Sequence, residues 1–170
     1  MPKTALLTPV YNPGIFGPGH SALVIGPKVY SFGDNGGWSV MASKTYMQNN
    51  RRRSVLVQHL DGNKVDGDAM FRYVEGSVND NAWYVWNGLC SHQAAYAIDA
   101  ATTETFDPVG FNTPYAVAAT VAEKKYETDR YLVLATGPKS EIESLKDLMH
   151  TVAKYPHAPV GQPKFFEWQI

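Results

Sequence analysis

A single cysteine, Cys90, among 170 residues rules out an intramolecular disulfide, so no covalent bridge within the chain holds the fold. Charge of one sign is lacking too: fifteen Lys and Arg stand against sixteen Asp and Glu, a net charge of −1. A chain so balanced has no global field with which to recruit nucleic acid or anionic lipid. Its one basic run, Arg51-Arg52-Arg53, leads into the strand-like SVLVQHL and reads as the solvated start of that strand. No stretch approaches the roughly 18 consecutive apolar residues of a membrane span. The opening MPKTALLTPVYNPG lacks the apolar core of about 7–15 residues and the small-residue cleavage site of a secretory signal. The expectation is a soluble protein, cytoplasmic as made, that leaves the cell only through a specialised secretion system. Internal repeats and low-complexity tracts are missing as well.

What is present suits one well-buried core: 44% hydrophobic and 18% charged residues, in a chain short for two domains. We therefore expect a single domain over residues 1–170. TALLTPVY (Thr4–Tyr11) reads as a short strand, followed by the Gly/Pro-rich NPGIFGPG. HSALVIG (His20–Gly26) and KVYSFG (Lys28–Gly33) flank a Gly26-Pro27 turn, a hairpin signal, which DNGGW closes as a loop. Ser54–Leu60 is another strand. AMFRYVEGSVND has helical spacing through Met70, Tyr73 and Val74, and a helix is expected from about Gly88 to Ala101. Thr113 and Pro114 start a further helix, as N-cap and first helical residue. Arg130–Gly137 is a buried strand. Ser140 and Glu143 have capping-box spacing at the head of a helix whose Ile142, Leu145, Met149 and Val152 share a face. The tail, PHAPVGQPKFFEWQI, is expected to be irregular. The fold class is α+β, with a mainly antiparallel sheet and the Cys-bearing helix packed on it.

Cys90 sits in NGLCSHQAAYAI, in the first turn of its expected helix. Free N–H groups and the helix dipole there favour a thiolate and can donate to an oxyanion. Ala94, Ala97 and Ile98 give the apolar face that seats this helix on a sheet. A nucleophilic thiol needs a base, normally histidine. Of five histidines, His92 follows Cys90 by two and points away on a helix, His59 lies in a strand, His150 in the last helix and His157 in the tail. His20 follows FGPG and opens a strand at the mouth of a sheet, where a catalytic imidazole belongs. A tight turn at Gly26-Pro27 sets Ala22 opposite Ser31, which puts His20 and Ser31 on one face. A one-residue change of register substitutes Tyr30, and Asp34 is a third choice for the group that orients the imidazole. Phe16, Trp38, Trp83 and Trp86 flank these segments as cleft walls or as core.

GPGHSALVIGPKVYSFG followed by NGLCSHQAAYAI resembles the circularly permuted branch of the papain-like cysteine hydrolases. That branch includes permuted relatives of the NlpC peptidases and the lecithin retinol acyltransferase group. In it the His-bearing hairpin precedes the Cys-bearing helix. The resemblance implies a permuted papain-like fold with Cys90 as nucleophile, His20 as base and Ser31 or Tyr30 in the orienting role, without cofactor or metal. Many relatives carry a second His or an acidic residue on that next strand, and VYSFG has neither. It also implies amide hydrolysis of bacterial cell-wall peptide. A small enzyme of this kind without a secretion signal resembles an antibacterial effector, injected through a type VI apparatus and matched by an immunity protein. The alternatives are a protease, deamidase or acyltransferase acting on a host protein or a lipid, a zinc site of Cys90, His92 and His20, and a non-catalytic binding module.

Overall fold

In the chain's computed structural model every described strand joins one sheet. The structure describes residues 1–9, 20–33, 37–51, 53–79, 90–107, 113–134 and 164–167. The strands are β1 (Thr4–Pro9), β2 (Ala22–Ile25), β3 (Lys28–Phe32), β4 (Trp38–Ala42), β5 (Val55–Leu60), β6 (Glu127–Leu134) and β7 (Lys164–Glu167). Their order across the sheet is β4-β3-β2-β1-β5-β6-β7. All neighbours are antiparallel except β6 and β7, which run parallel. The α+β, mainly antiparallel architecture expected from the sequence is therefore present.

All six residues of β1 are buried, as a central strand covered on both faces requires. Among the described residues three helices cover one face: α2 (Gly67–Asn79), α3 (Cys90–Asp99) and α4 (Pro114–Glu123). Leu6, Leu23, Ile25, Tyr30, Leu56 and Leu132 of the sheet meet Met70, Val74, Ala94, Ile98, Val117 and Val121 of these helices. Each large side chain buried this way contributes about 1.5–3 kcal/mol. The alanines of α3 and α4 keep these two helices close to the strands. A short helix, α1 (Ser43–Asn49), lies against the other face, where Tyr46 packs with Ala5, Leu7, Ala22, Val29, Val55 and Val57.

Local signals fix the helix ends. Asp66 accepts from the N–H groups of Asp68 and Ala69 at 2.9 and 3.2 Å and caps α2. Thr113 caps α4 by accepting from Ala116 N–H, with Pro114 in its first turn. That helix stops in a Schellman turn: Tyr126 N–H donates to the Val121 carbonyl and Lys125 N–H to that of Ala122. Lys125 takes φ +56° there, a conformation usually left to glycine. A polar cluster lies under α4. Gln58 Nε2 donates to the Ala118 carbonyl and to Glu127 Oε2, both at 3.0 Å, and Arg130 pairs with Glu127 Oε1.

Several expectations change. Trp38 begins β4 instead of closing a loop, and its half-buried ring packs against the core and meets Phe32 edge-on at 5.4 Å. The strand after α4 starts at Glu127, three residues before the expected Arg130, because the Glu127–Arg130 pair lets polar residues be buried. Within the tail, Lys164–Glu167 forms β7. The expected helix from Ser140, the residues Phe16, Trp83 and Trp86, and the orienting candidate Asp34 lie outside the described residues. No helix among the described residues is long and apolar enough to cross a membrane.

Candidate active site

The β2–β3 hairpin sets the site. Gly26, at φ +59°, lets the chain reverse within two residues, a conformation that other side chains rarely adopt. Ile25 then pairs with Lys28, Leu23 with Tyr30 and Ala22 with Ser31. This is the register read from the Gly26-Pro27 turn. His20 continues the ladder past β2, donating its N–H to the Pro9 carbonyl at 3.1 Å. Its imidazole stays on the face that carries Ala22 and Ser31, and His20 Nε2 meets Ser31 Oγ at 2.6 Å. Ser31 is buried, and its carbonyl accepts from Ser39 Oγ at 3.2 Å.

Tyr30 belongs to the opposite face. Its hydroxyl donates to Glu75 Oε1 of α2 at 2.9 Å, and burial, with help from that carboxylate, pushes its pKa up to about 12. The pleat that aims Ser31 at His20 aims Tyr30 away, so Tyr30 does not hold the imidazole.

Cys90 is the first residue of α3 and is half-buried. The expected start of this helix at Gly88 lies outside the described residues. Ala94, Ala97 and Ile98 are buried, and the helix packs against β2 and β3, as its apolar face predicts. The thiol is within electrostatic reach of Tyr46, and Tyr46 Oη lies beside Ser31. Cys90, Tyr46, Ser31 and His20 thus gather at the end of the sheet remote from the Gly26 turn.

Tyr46 has no counterpart among the residues singled out from sequence. It is 3% exposed, and its hydroxyl completes no hydrogen bond among the described residues. Burial raises its pKa well above the usual phenol range; the Arg53 guanidinium opposes the shift, a negative charge on Cys90 adds to it, and the nearby Ser31 hydroxyl opposes it.

The other described histidines are elsewhere. His59 pairs across the sheet with Ala5, toward the opposite end, and its Nε2 lies 3.3 Å from Tyr131 Oη. It lines an apolar groove of about 350 Å³ with Leu7, Val24, Met47, Val57 and Val133. His92 lies two residues into α3 beside Tyr96, their ring centroids 6.5 Å apart. No group of three or more His, Cys, Asp or Glu residues among those described is placed to hold a metal ion, which leaves the zinc alternative without a ligand set. His150 and His157 lie outside the described residues.

No protein-family model, curated protein or solved structure matches this chain.

Proposed function

We propose that this protein is a cysteine hydrolase of amide bonds in which Cys90 is the nucleophile, His20 the base and Ser31 the residue that orients the imidazole. The observation that carries this reading is the 2.6 Å contact between His20 Nε2 and Ser31 Oγ, made at the β2–β3 hairpin on which α3, the helix of Cys90, packs. With Nε2 engaged by Ser31, the nitrogen that serves the thiol is Nδ1. It takes the thiol proton, and Sγ attacks the substrate carbonyl carbon. The oxyanion is stabilised by N–H groups of the first turn of α3. The tetrahedral intermediate then collapses, the C–N bond breaks, and the imidazolium gives its proton to the leaving amine. Water, deprotonated by Nδ1, hydrolyses the thioester and restores the thiol.

The chain order, base hairpin before nucleophile helix in an antiparallel sheet, fits a permuted papain-like fold. The substrate we favour is bacterial cell-wall peptide, the use this reading shares with the permuted NlpC relatives it resembles. In such a role the protein would be an exported effector, and its producer would need an immunity protein.

The test is hydrolysis of peptidoglycan fragments followed by mass spectrometry. The expected products are a new amine and a new carboxylate at one amide bond. Cys90→Ala and His20→Ala each lower the rate by about a thousandfold or more, and the double variant is no worse than either, because the two groups act as a unit. Ser31→Ala lowers the rate less. Full activity in Cys90→Ala overturns the proposal, and activity only on a folded protein or a lipid ester reassigns the substrate.

A further inference from the structure

A serine holds an imidazole ambiguously. Its hydroxyl has one proton and two lone pairs, so the Ser31–His20 hydrogen bond can run either way. If Ser31 donates to Nε2, the ring proton of a neutral His20 sits on Nδ1, and Nδ1 cannot take a proton from the thiol. If Ser31 accepts from Nε2–H, Nδ1 is the base. Only this second arrangement is compatible with an imidazolium, because both ring nitrogens then donate. It requires another acceptor for the proton of Ser31.

Tyr46 is placed to supply one. It belongs to the cluster with Ala22, the cross-strand partner of Ser31, on the same face of the sheet. Its hydroxyl is buried and close enough to Ser31 for the Ser31 hydroxyl to bear on its ionisation, yet it completes no hydrogen bond of full geometry among the described residues. We propose that Tyr46 Oη accepts the hydroxyl proton of Ser31 and thereby fixes the direction of the Ser31–His20 hydrogen bond, which makes Tyr46 a positioning residue for the base. The inference rests on the reading of Cys90 and His20 given above. The groups facing the phenol are Ser31 from β3, Cys90 from α3 and Arg53 from the residues before β5. Burial dominates their combined effect and keeps the phenol neutral throughout the working pH range, so its lone pairs are available to Ser31. Hydrogen bonds of this kind often tighten only when the reacting state forms.

The experiment is the pH dependence of Cys90 alkylation by iodoacetamide, followed as intact mass. The chain has one cysteine, so every added mass reports on Cys90. In the wild-type protein the thiolate is expected below the ordinary thiol midpoint of about 8.5, and His20→Ala returns it there. Tyr46→Phe is expected to move the midpoint up by roughly half to one pH unit, the worth of one hydrogen bond to the ion pair. Tyr46→Met, a second variant without the hydroxyl, should do the same. Ser31→Ala moves it at least as far, and adding Tyr46→Phe to Ser31→Ala moves it no further. A wild-type profile in both Tyr46 variants, or full additivity with Ser31→Ala, overturns the role of Tyr46 while leaving the dyad standing. An ordinary wild-type midpoint that His20→Ala does not change overturns the dyad itself, and this inference with it.

Discussion

Replacing Glu127 by Gln tests the polar cluster beneath α4. The Glu127 side chain is fully buried and that of Arg130 is 6% exposed, so neither charge is relieved by water. The substitution keeps the shape and one acceptor but leaves the guanidinium without a counter-charge. Arg130 Nε and Gln58 Oε1 already lack partners among the described residues, so little nearby can compensate. Breaking a buried ion pair from one side costs about 3–5 kcal/mol, and the retained acceptor places this variant near ~3 kcal/mol. Set against a total stability of about 5–15 kcal/mol, that is a large fraction. With a urea slope near ~2 kcal/mol/M, the unfolding midpoint should fall by roughly 1.5 M at unchanged slope. The double variant Glu127→Leu/Arg130→Met removes both charges and should lie within about 1 kcal/mol of wild type, since Gln58 keeps the Ala118 carbonyl. Urea unfolding followed by circular dichroism reads both. A loss below ~1 kcal/mol in Glu127→Gln, or a double variant as unstable as the single one, would refute the reasoning.

Two glycines of α2 should respond in opposite directions. A Cβ on Gly67 would stand 2.6 Å from the Pro2 carbonyl oxygen, so Gly67→Ala should destabilise by about 1–3 kcal/mol; one on Gly76 meets nothing within 4 Å, so Gly76→Ala should stabilise by about 0.5–1 kcal/mol. Thermal unfolding separates the two. The raised pKa of Tyr30 makes a prediction at alkaline pH. The unfolded phenol ionises near 10 and the folded one near 12, so the stability linked to this group is complete below pH 10 and is lost as pH rises through 12. Tyr30→Phe should therefore flatten the decline in stability between pH 10 and 12, and an unchanged slope would refute the assignment.

How much of this could be read from the sequence depended on how local the determinants are. The Gly26-Pro27 turn fixes a two-residue reversal, from which the Ala22–Ser31 pairing follows by counting. Thr113 and Pro114 announce α4 in the same local way, and Ala94, Ala97 and Ile98 announce the packing of α3. The stretch Trp38–Asn49 gave no such signal. The edge strand β4 has no buried position, so its residues need no apolar alternation. Helix α1 follows Ala42, which makes no side-chain cap, and seven residues are too few for a clear period. Tyr46 has no local sequence signal for that reason: its importance comes from the strands it covers. The start of β6 has no sequence signal for the converse reason, since Glu127 and Arg130 resemble surface residues until each is seen to be the other's partner.

Of the described strands, β1 comes earliest in the chain, yet it is the fourth of seven across the sheet. Vectorial synthesis therefore builds this sheet outward from its middle. Thr4–Pro9 emerges with two open hydrogen-bonding edges, one closed when β2 appears and the other only when β5 does. Until then the nascent chain presents an apolar edge to the ribosome surface and to chaperones. The β2–β3 hairpin, by contrast, can close as soon as Phe32 is clear, on a microsecond scale. At ~5–20 residues per second, Cys90 follows roughly three to twelve seconds later. The thiol thus arrives at a hairpin whose register has had ample time to settle, and translation order itself separates the making of the imidazole's cradle from the making of the sulfur.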